Sequence, residues 1–231
     1  MSVISLQLII SAFGGVLLGG LLSWLLFLFD KYFERRRKHF NALVAVEYAI
    51  SENLDTSSTN LSQMETFHQT LKDKQFSIPS FKEFNLPKNT IYDLQSQKFI
   101  NDVFELCLDM ERVNRDMLGL FSRYQRVLDR VSALDINNRN GDAFNEYAVN
   151  ANGMATDLSR VVKFAKNLDG GMVEVLAKSR VLSRHRPRVI DTLIAYLSKG
   201  DTLPGSFSEQ VLTEKTIIEK ERVNHKLPDG F

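Results

Sequence analysis

The distribution of apolar and polar positions divides the chain into two unequal parts. From Val3 to Phe29 no residue is charged, and Gln7 is the only strongly polar side chain. At about 1.5 Å per residue, this run spans roughly 40 Å as an α-helix, more than the roughly 30 Å of a bilayer hydrocarbon core. The pattern therefore predicts that residues 1–30 form one tilted transmembrane helix.

A cleavable signal peptide is the alternative reading of an apolar N-terminal segment. Such a peptide has a basic n-region, an apolar region of roughly 7 to 15 residues and a small-residue cleavage site. Here no basic residue precedes the apolar run, the run is too long, and Trp24, Phe27 and Phe29 occupy the place of the cleavage site. We therefore expect the segment to be retained as an anchor.

The basic residues near this segment all lie on its C-terminal side. Met1 and Ser2 carry no positive side chain, whereas five basic residues follow the apolar run: Lys31, Arg35, Arg36, Arg37 and Lys38. The positive-inside rule then keeps the following residues in the cytoplasm and leaves the N-terminus outside. We expect the same five residues to contact anionic lipid headgroups, at about 1 kcal/mol each.

Apolar residues recur at helical spacing through almost all of the remaining chain. The first helix is predicted to continue past the headgroups to about Ile50, and the polar residues 55–60 to cap a second helix. In "FSIPSFKEFNLP" two prolines flank Phe81 and Phe84. This arrangement predicts an irregular loop that packs its aromatic side chains.

The later elements are all predicted to be helices. Their expected ranges are residues 90–134, 143–168, 172–183, 188–198 and 207–224, with interruptions at the pairs Gly170–Gly171 and Arg186–Pro187. We therefore predict an all-α fold, in which residues 31–224 form a cytosolic helical bundle. Residues 225–231 are expected to be a disordered tail.

Small and polar residues recur at every fourth position of the predicted transmembrane helix. This ladder consists of Gln7, Ser11, Gly15, Gly19 and Ser23. Membrane helices associate through close backbone approach over small residues and through polar contacts, so the ladder predicts self-association. Two alternatives stay open: such residues are common in plain anchors, and the ladder can also line a wide pore that is gated by dewetting.

The sequence carries few signals of enzyme chemistry. It has no CxxC, HExxH, GxSxG or phosphate-binding glycine loop, and its four histidines lack the spacing of metal ligands. Its single cysteine, Cys107, can form no intramolecular disulfide, which agrees with a reducing compartment. No cofactor or metal is expected, and a non-enzymatic function is favoured.

One pair of residues is an exception. Arg180 and His185, in "KSRVLSRHRPR", resemble the R-x4-6-H motif of the HEPN ribonucleases, which are all-helical proteins that dimerise. The resemblance implies that the histidine acts in acid/base chemistry on the RNA 2′-hydroxyl while the arginine supports the phosphate. Here Val181 follows Arg180, where that family usually has a polar residue.

The chain as a whole resembles bacterial single-pass membrane proteins with a cytosolic helical domain. The similarity is carried by the N-terminal membrane helix, by Glu47 and Asn53 in "EYAISEN", and by a long helix that includes "IYDLQ" and "MERVN". It covers most of residues 1–120. The resemblance implies an inner-membrane location.

A further resemblance is to the membrane accessory protein of type VI-B CRISPR systems. The order of elements is the same: an uncharged membrane helix, a helical bundle, and a late R-x4-H motif, here Arg180 and His185. The resemblance implies a homo-oligomeric pore that depolarises the inner membrane in antiviral defence. It also implies a CRISPR nuclease as the partner.

Three hypotheses follow for the function. The first is a self-assembling effector that contacts lipid and further copies of itself. The second is a membrane-tethered adaptor that recruits a cytosolic protein. The third is a metal-independent ribonuclease that uses Arg180 and His185 on RNA.

Overall fold

The computed structural model describes residues 3–76, 79–136, 140–185 and 206–226. Within these ranges the chain forms helices and no strand: α1 (Val3–Lys72), a short 3-10 helix (Lys88–Asp93), α2 (Gln97–Ile136), α3 (Asn140–Arg184) and α4 (Phe207–Lys226). The all-α fold is confirmed, with an apolar N-terminal helix that continues into further helical structure.

α1 is one unbroken helix of 70 residues, which makes it roughly 105 Å long. Its first buried apolar residue in the described part is Ala42, well below the predicted membrane boundary at residue 30. The predicted interruption at residues 55–60 is wrong. Thr56 and Ser57 are buried there, and the Thr59 hydroxyl donates to the carbonyl of Asp55. Polar side chains that often cap helices are instead accommodated inside one.

The core lies between the C-terminal half of α1 and the long helices α2 and α3. Each helix contributes side chains at spacings of three, four, seven or fourteen residues, which keep them on one helical face. Examples are Leu43, Ile50, Met64 and Leu71 on α1, Val103, Met110, Val113 and Met117 on α2, and Met154, Leu158, Met172 and Leu176 on α3. Several are methionines, whose unbranched side chains fill irregular gaps between helices.

α3 runs through the two glycines that were predicted to end a helix. A Cβ added at Gly171 would lie 3.6 Å from a methyl group of Leu106, an ordinary van der Waals distance, so α2 packs directly over this position. Met172, the next residue, is fully buried. Packing against α2 thus offsets the roughly 1 kcal/mol that a glycine costs inside a helix.

Other helix boundaries differ in smaller ways from the prediction. The helix expected from residue 90 begins only at Gln97, where the Phe99 backbone N–H donates to the Ser96 hydroxyl. α4 confirms the helix predicted near 207–224 and extends through Lys226, so the predicted tail begins too early. The predicted helix 188–198 and the tail residues 227–231 lie outside the described residues.

Three asparagine side chains hold the connection between α1 and α2. Each accepts a hydrogen bond from a backbone N–H and donates its amide to the carbonyl of the same residue: Asn53 pairs with Asn85, Asn60 with Lys82, and Asn114 with Phe84, at 2.7–3.0 Å. We call this set the asparagine clamp. It satisfies backbone groups that would otherwise need a sheet or water.

Aromatic packing holds the same connection. Phe84 is buried, and its ring meets that of Phe81 edge to face with centroids 5.9 Å apart. Phe81 also contacts Phe121 on α2, with centroids 6.3 Å apart. The prediction that this loop packs its aromatic side chains is confirmed, and the two rings face inward.

Candidate functional site

One helix of the described part, α1, is long and apolar enough to cross a membrane. Its large apolar side chains near the N-terminus are exposed and contact no other element: Val16, Leu17, Leu18, Leu21, Leu22, Trp24, Leu25, Leu26, Phe27, Leu28 and Phe29. An apolar surface of this extent is rare on soluble monomers and is typical of a segment covered by lipid or protein.

The described part of the small-residue ladder is also unused within the chain. Gly15, Gly19 and Ser23 are exposed, and a Cβ built at either glycine meets no atom within 4 Å. Gln7 and Ser11 lie on α1, but their side chains are outside the described part. The predicted role of the ladder in helix packing stays a prediction.

The basic residues predicted to contact headgroups follow the apolar segment on α1. Lys31 and Lys38 both pair with Glu34, at 3.1 and 2.9 Å. Hydrogen bonds from Lys38 and then Lys31 lower the pKa of Glu34 to about 2. Two of the five basic residues thus pair with one carboxylate, while Arg35, Arg36 and Arg37 follow in the same turns of α1. Their contact with lipid stays a prediction.

His39 links α1 to the start of α2 directly below the basic residues. Its Nδ1 accepts a hydrogen bond from the Gln95 backbone N–H at 3.2 Å. The Gln95 amide donates to the Arg35 carbonyl at 3.4 Å. Burial lowers the pKa of His39, although a hydrogen bond with the Asp93 backbone opposes part of that effect. The neutral ring is therefore the form that fits this junction.

Acidification is expected to weaken this junction. Because the folded state disfavours the charged His39 ring, it binds fewer protons than the unfolded state. The contribution of the neutral His39 ring to folding stability is complete above the ordinary histidine pKa of about 6.5. It is lost as the pH falls through the lowered pKa of His39 in the folded state. Between about pH 7.5 and pH 5, the melting temperature should fall more for the wild type than for His39→Gln. Equal decreases would contradict this role.

The residues of the R-x4-H motif lie at the C-terminal end of α3, where Arg180 joins three helices. Its guanidinium pairs with Glu47 of α1 at 3.2 Å and with Glu214 and Glu221 of α4 at 3.3 and 3.1 Å. Arg184 pairs with Glu214 at 2.6 Å. We call these five residues the Arg180 cluster. Glu214 is only 5% exposed, so its charge depends on both arginines.

The second residue of the motif, His185, does not belong to the Arg180 cluster. His185 follows the last residue of α3, and its backbone N–H donates to the carbonyls of Val181 and Leu182. No hydrogen bond joins its ring to Arg180 in the described part of the chain. Arg180 already faces three carboxylates, which neutralise the charge that a phosphate would require. The ribonuclease hypothesis gains nothing from this geometry.

α4 is attached to α3 by further charged contacts. Arg222 donates two hydrogen bonds to Asp169, both at 2.8 Å, and Val211 and Ile218 supply buried apolar contacts. Arg180, Arg222, Glu214 and Asp169 are sheltered from most solvent, which reduces screening of the pairs that they form. The sequence indicated Glu47 only as part of a family pattern, and it gave no sign of Glu214. Both carboxylates pair with Arg180, but neither lies at helical spacing from it in the sequence.

Groups suited to metal or redox chemistry are scarce in the described ranges. No cluster of three or more His, Cys, Asp or Glu side chains is placed there to hold an ion. Cys107 is buried, and burial raises its pKa, which disfavours a reactive thiolate.

Comparisons with known proteins complete the description of the site. Family models, curated proteins and solved structures give no match to this chain. The function must therefore be inferred from α1, its exposed apolar segment and the way the bundle is built around its other half.

Proposed function

We propose that the protein is a self-assembling single-pass protein of the inner membrane, with its N-terminus outside and its helical bundle in the cytoplasm. In this proposal, assembly of the membrane helices permeabilises the bilayer, as an effector of antiviral defence. The observation that carries the proposal is the continuity of α1, whose apolar half is exposed and whose other half lies in the bundle core.

Continuity couples the two halves mechanically. Leu43, Val46 and Ile50 are at most 1% exposed, so α1 cannot rotate in the bundle without disrupting the core. No glycine, proline or turn separates these residues from the apolar segment beyond Gly20. An arrangement of bundles in the cytoplasm would therefore fix which face of each membrane helix meets its neighbour.

The exposed glycines supply the surface for that contact. In lipid, association is driven by packing and polar contacts, since hydrophobic burial gives little advantage. Gly15 and Gly19 leave open space where a neighbouring helix can approach closely. Assembly over this surface is favoured over a plain anchor because Gly15, Gly19 and Ser23 recur at every fourth position of the exposed segment and so share one side of the helix.

Permeabilisation is the finer part of the proposal. It is supported by the order of elements that the chain shares with the CRISPR-associated membrane proteins, and by the lack of charges across the apolar segment. Helices of this composition would surround an apolar lumen that opens and closes by wetting. The cytosolic bundle would then receive the activating signal, from a CRISPR nuclease or another cytosolic protein.

The adaptor is the second candidate, favoured by one patch on α2. Phe104 and Leu108 are 51% and 50% exposed and lie one turn apart, away from the core. Exposed apolar pairs of this kind suit a protein partner. An adaptor would need this patch and the anchor, without any assembly of α1.

The two candidates are separated by the mass of the full-length protein in mild detergent, measured by light scattering. We expect a closed assembly of several subunits for the wild type. The variant Gly15→Leu with Gly19→Leu should be monomeric, because two isobutyl groups would hold neighbouring helices apart. The matched control is Gly14→Leu with Gly20→Leu, which adds the same bulk about 120° to either side and should keep the assembly.

A monomeric wild type, or equal masses for both double variants, would end the assembly proposal. Dye release from proteoliposomes then tests permeabilisation. Assembled wild type should release the dye and the Gly15→Leu, Gly19→Leu variant should not. An assembly that leaves the vesicles intact would contradict permeabilisation and keep the assembly, whereas a monomeric wild type would favour the adaptor.

A further inference from the structure

Four apolar side chains form an exposed stripe on α1 directly below the predicted membrane segment. Phe33, Phe40, Val44 and Tyr48 are 57%, 50%, 45% and 73% exposed. Their spacings of seven, four and four residues place them on one side of the helix. We call them the juxtamembrane stripe. Nothing in the bundle covers it, although the residues between Phe40 and Tyr48 include core residues.

Two residues of the stripe, Val44 and Tyr48, point away from the chain's own bundle. At about 100° per residue, Leu43, Val46 and Ile50 lie on the side of α1 opposite Val44 and Tyr48. Those three residues are at most 1% exposed, which fixes the inward direction. A second helix can therefore approach Val44 and Tyr48 from outside the bundle, whereas Glu47, which lies near Phe40 by the same count and pairs with Arg180 of α3, marks the edge of the bundle.

The stripe is in register with the glycines of the apolar segment. Phe33 lies 18 residues after Gly15, which is about five full turns of a helix with 3.6 residues per turn. By the same count Phe40 and Val44 fall within about 20° of Gly15, and Tyr48 within about 60°. Because α1 is unbroken, one straight face carries both the exposed glycines and the stripe.

We infer that this face is a single contact surface for a second copy of the chain, and that the juxtamembrane stripe is its cytosolic half. The inference rests on the proposed function, since copies in one membrane share one orientation and their α1 helices run parallel. Parallel helices place Phe33, Phe40, Val44 and Tyr48 opposite the same residues of the neighbour. A contact through the glycines thus brings the stripes together as well.

The area is sufficient for a specific contact. At the observed exposures, the three aromatic side chains and Val44 offer roughly 400 Å² on each copy, or about 800 Å² for a pair. Contact between the apolar segments raises this above the roughly 1,000 Å² of a stable interface. Arg37 lies on the same face at headgroup level, where lipid phosphates can neutralise it while its stem covers apolar surface.

Cross-linking in native membranes tests the inference. In a Cys107→Ala background, Phe40→Cys places one thiol on the stripe, and a short bis-maleimide joins two copies when each thiol adds to one maleimide. The matched control is Leu108→Cys on α2, since Leu108 and Phe40 are both 50% exposed. We expect about tenfold more cross-linked dimer for Phe40→Cys, because held neighbours react at a high effective concentration.

The outcomes distinguish this inference from the proposed function. If the Phe40→Cys protein assembles by mass but its dimer yield equals that of the control, the stripe is not the contact and assembly still stands. If it is monomeric and does not cross-link, both fail. Cross-linking of Phe40→Cys to a different protein instead of to itself would assign the stripe to a heterologous partner and overturn the inference.

Discussion

The Asn60→Asp variant is expected to lose about 3 kcal/mol of folding free energy at neutral pH, the cost of a buried polar mismatch. Asn60 is 1% exposed and donates its amide to the Lys82 carbonyl while accepting from the Lys82 N–H. Aspartate has the same shape but no donor when ionised. Its oxygen would face the carbonyl oxygen in a site with almost no water.

This loss should depend on pH in a defined direction. Burial beside a carbonyl oxygen raises the pKa of the new carboxyl group above the unfolded value of about 3.9. The folded state then binds more protons, so stability decreases as the pH rises from about 4 to the raised pKa. Below that range the protonated carboxyl can donate to Lys82, and the variant should approach the wild type.

Thermal unfolding of the full-length protein in detergent measures this effect. A loss of about 3 kcal/mol corresponds to a melting temperature lowered by roughly 6–12 °C in a domain of this size. Asn101→Asp is the matched control, because Asn101 is exposed on α2 and the same substitution should change little there. Equal shifts for the two variants, or no pH dependence, would show that the clamp contributes little to stability.

The Arg180→Met variant is expected to lose about 2–4 kcal/mol and to release α4 from α3. Without Arg180, the buried carboxylate of Glu214 keeps only Arg184 as a partner, and Glu47 loses its link to α3. Methionine preserves the apolar stem of the side chain, so the change removes mainly the charge. Helix α4 should lose protection because few apolar residues hold it.

Arg184→Met is the control for this prediction. Arg184 pairs with the same carboxylate, but its side chain is 66% exposed against 19% for Arg180. Because solvent reaches the Arg184 side chain and screens its charge, and because Arg180 still pairs with Glu214 in this variant, Arg184→Met should lose less than Arg180→Met. Hydrogen exchange over residues 207–226 and the melting temperature provide the two measurements. A stable Arg180→Met protein that loses RNA cleavage instead would favour the ribonuclease hypothesis.

Much of the fold could be predicted from the order of apolar residues. The uncharged N-terminal run and the helical spacing beyond it correctly indicate an all-α chain with one apolar helix that continues into other helices. The errors arise where local preferences suggest an end and packing dictates otherwise. Residues 55–60 and Gly171 carry the composition of caps and breaks, yet burial against α2, α3 and the loop keeps both helices intact.

The polar features of the candidate site were harder to predict. Arg180 meets Glu47 across 133 residues of sequence and Glu214 across 34, and no local periodicity relates positions so far apart. The asparagine clamp was equally hard to predict. Asn60 and Asn101 look equivalent in sequence, and only the folded structure shows that Asn60 lies on the buried side of its helix while Asn101 is exposed. The exposed glycines and the basic residues could be found because their spacing and their place after the apolar run are themselves local.

In the proposed membrane arrangement, the unbroken α1 also makes the bundle sensitive to the thickness of the bilayer. An apolar run of roughly 40 Å in a hydrocarbon layer of roughly 30 Å relieves the mismatch mainly by tilting. Since no hinge separates this run from the core, the tilt is passed to the whole bundle, and a thinner membrane inclines it further. The lipid composition around the protein would then decide which cytosolic surfaces approach the headgroups and which stay accessible to other molecules.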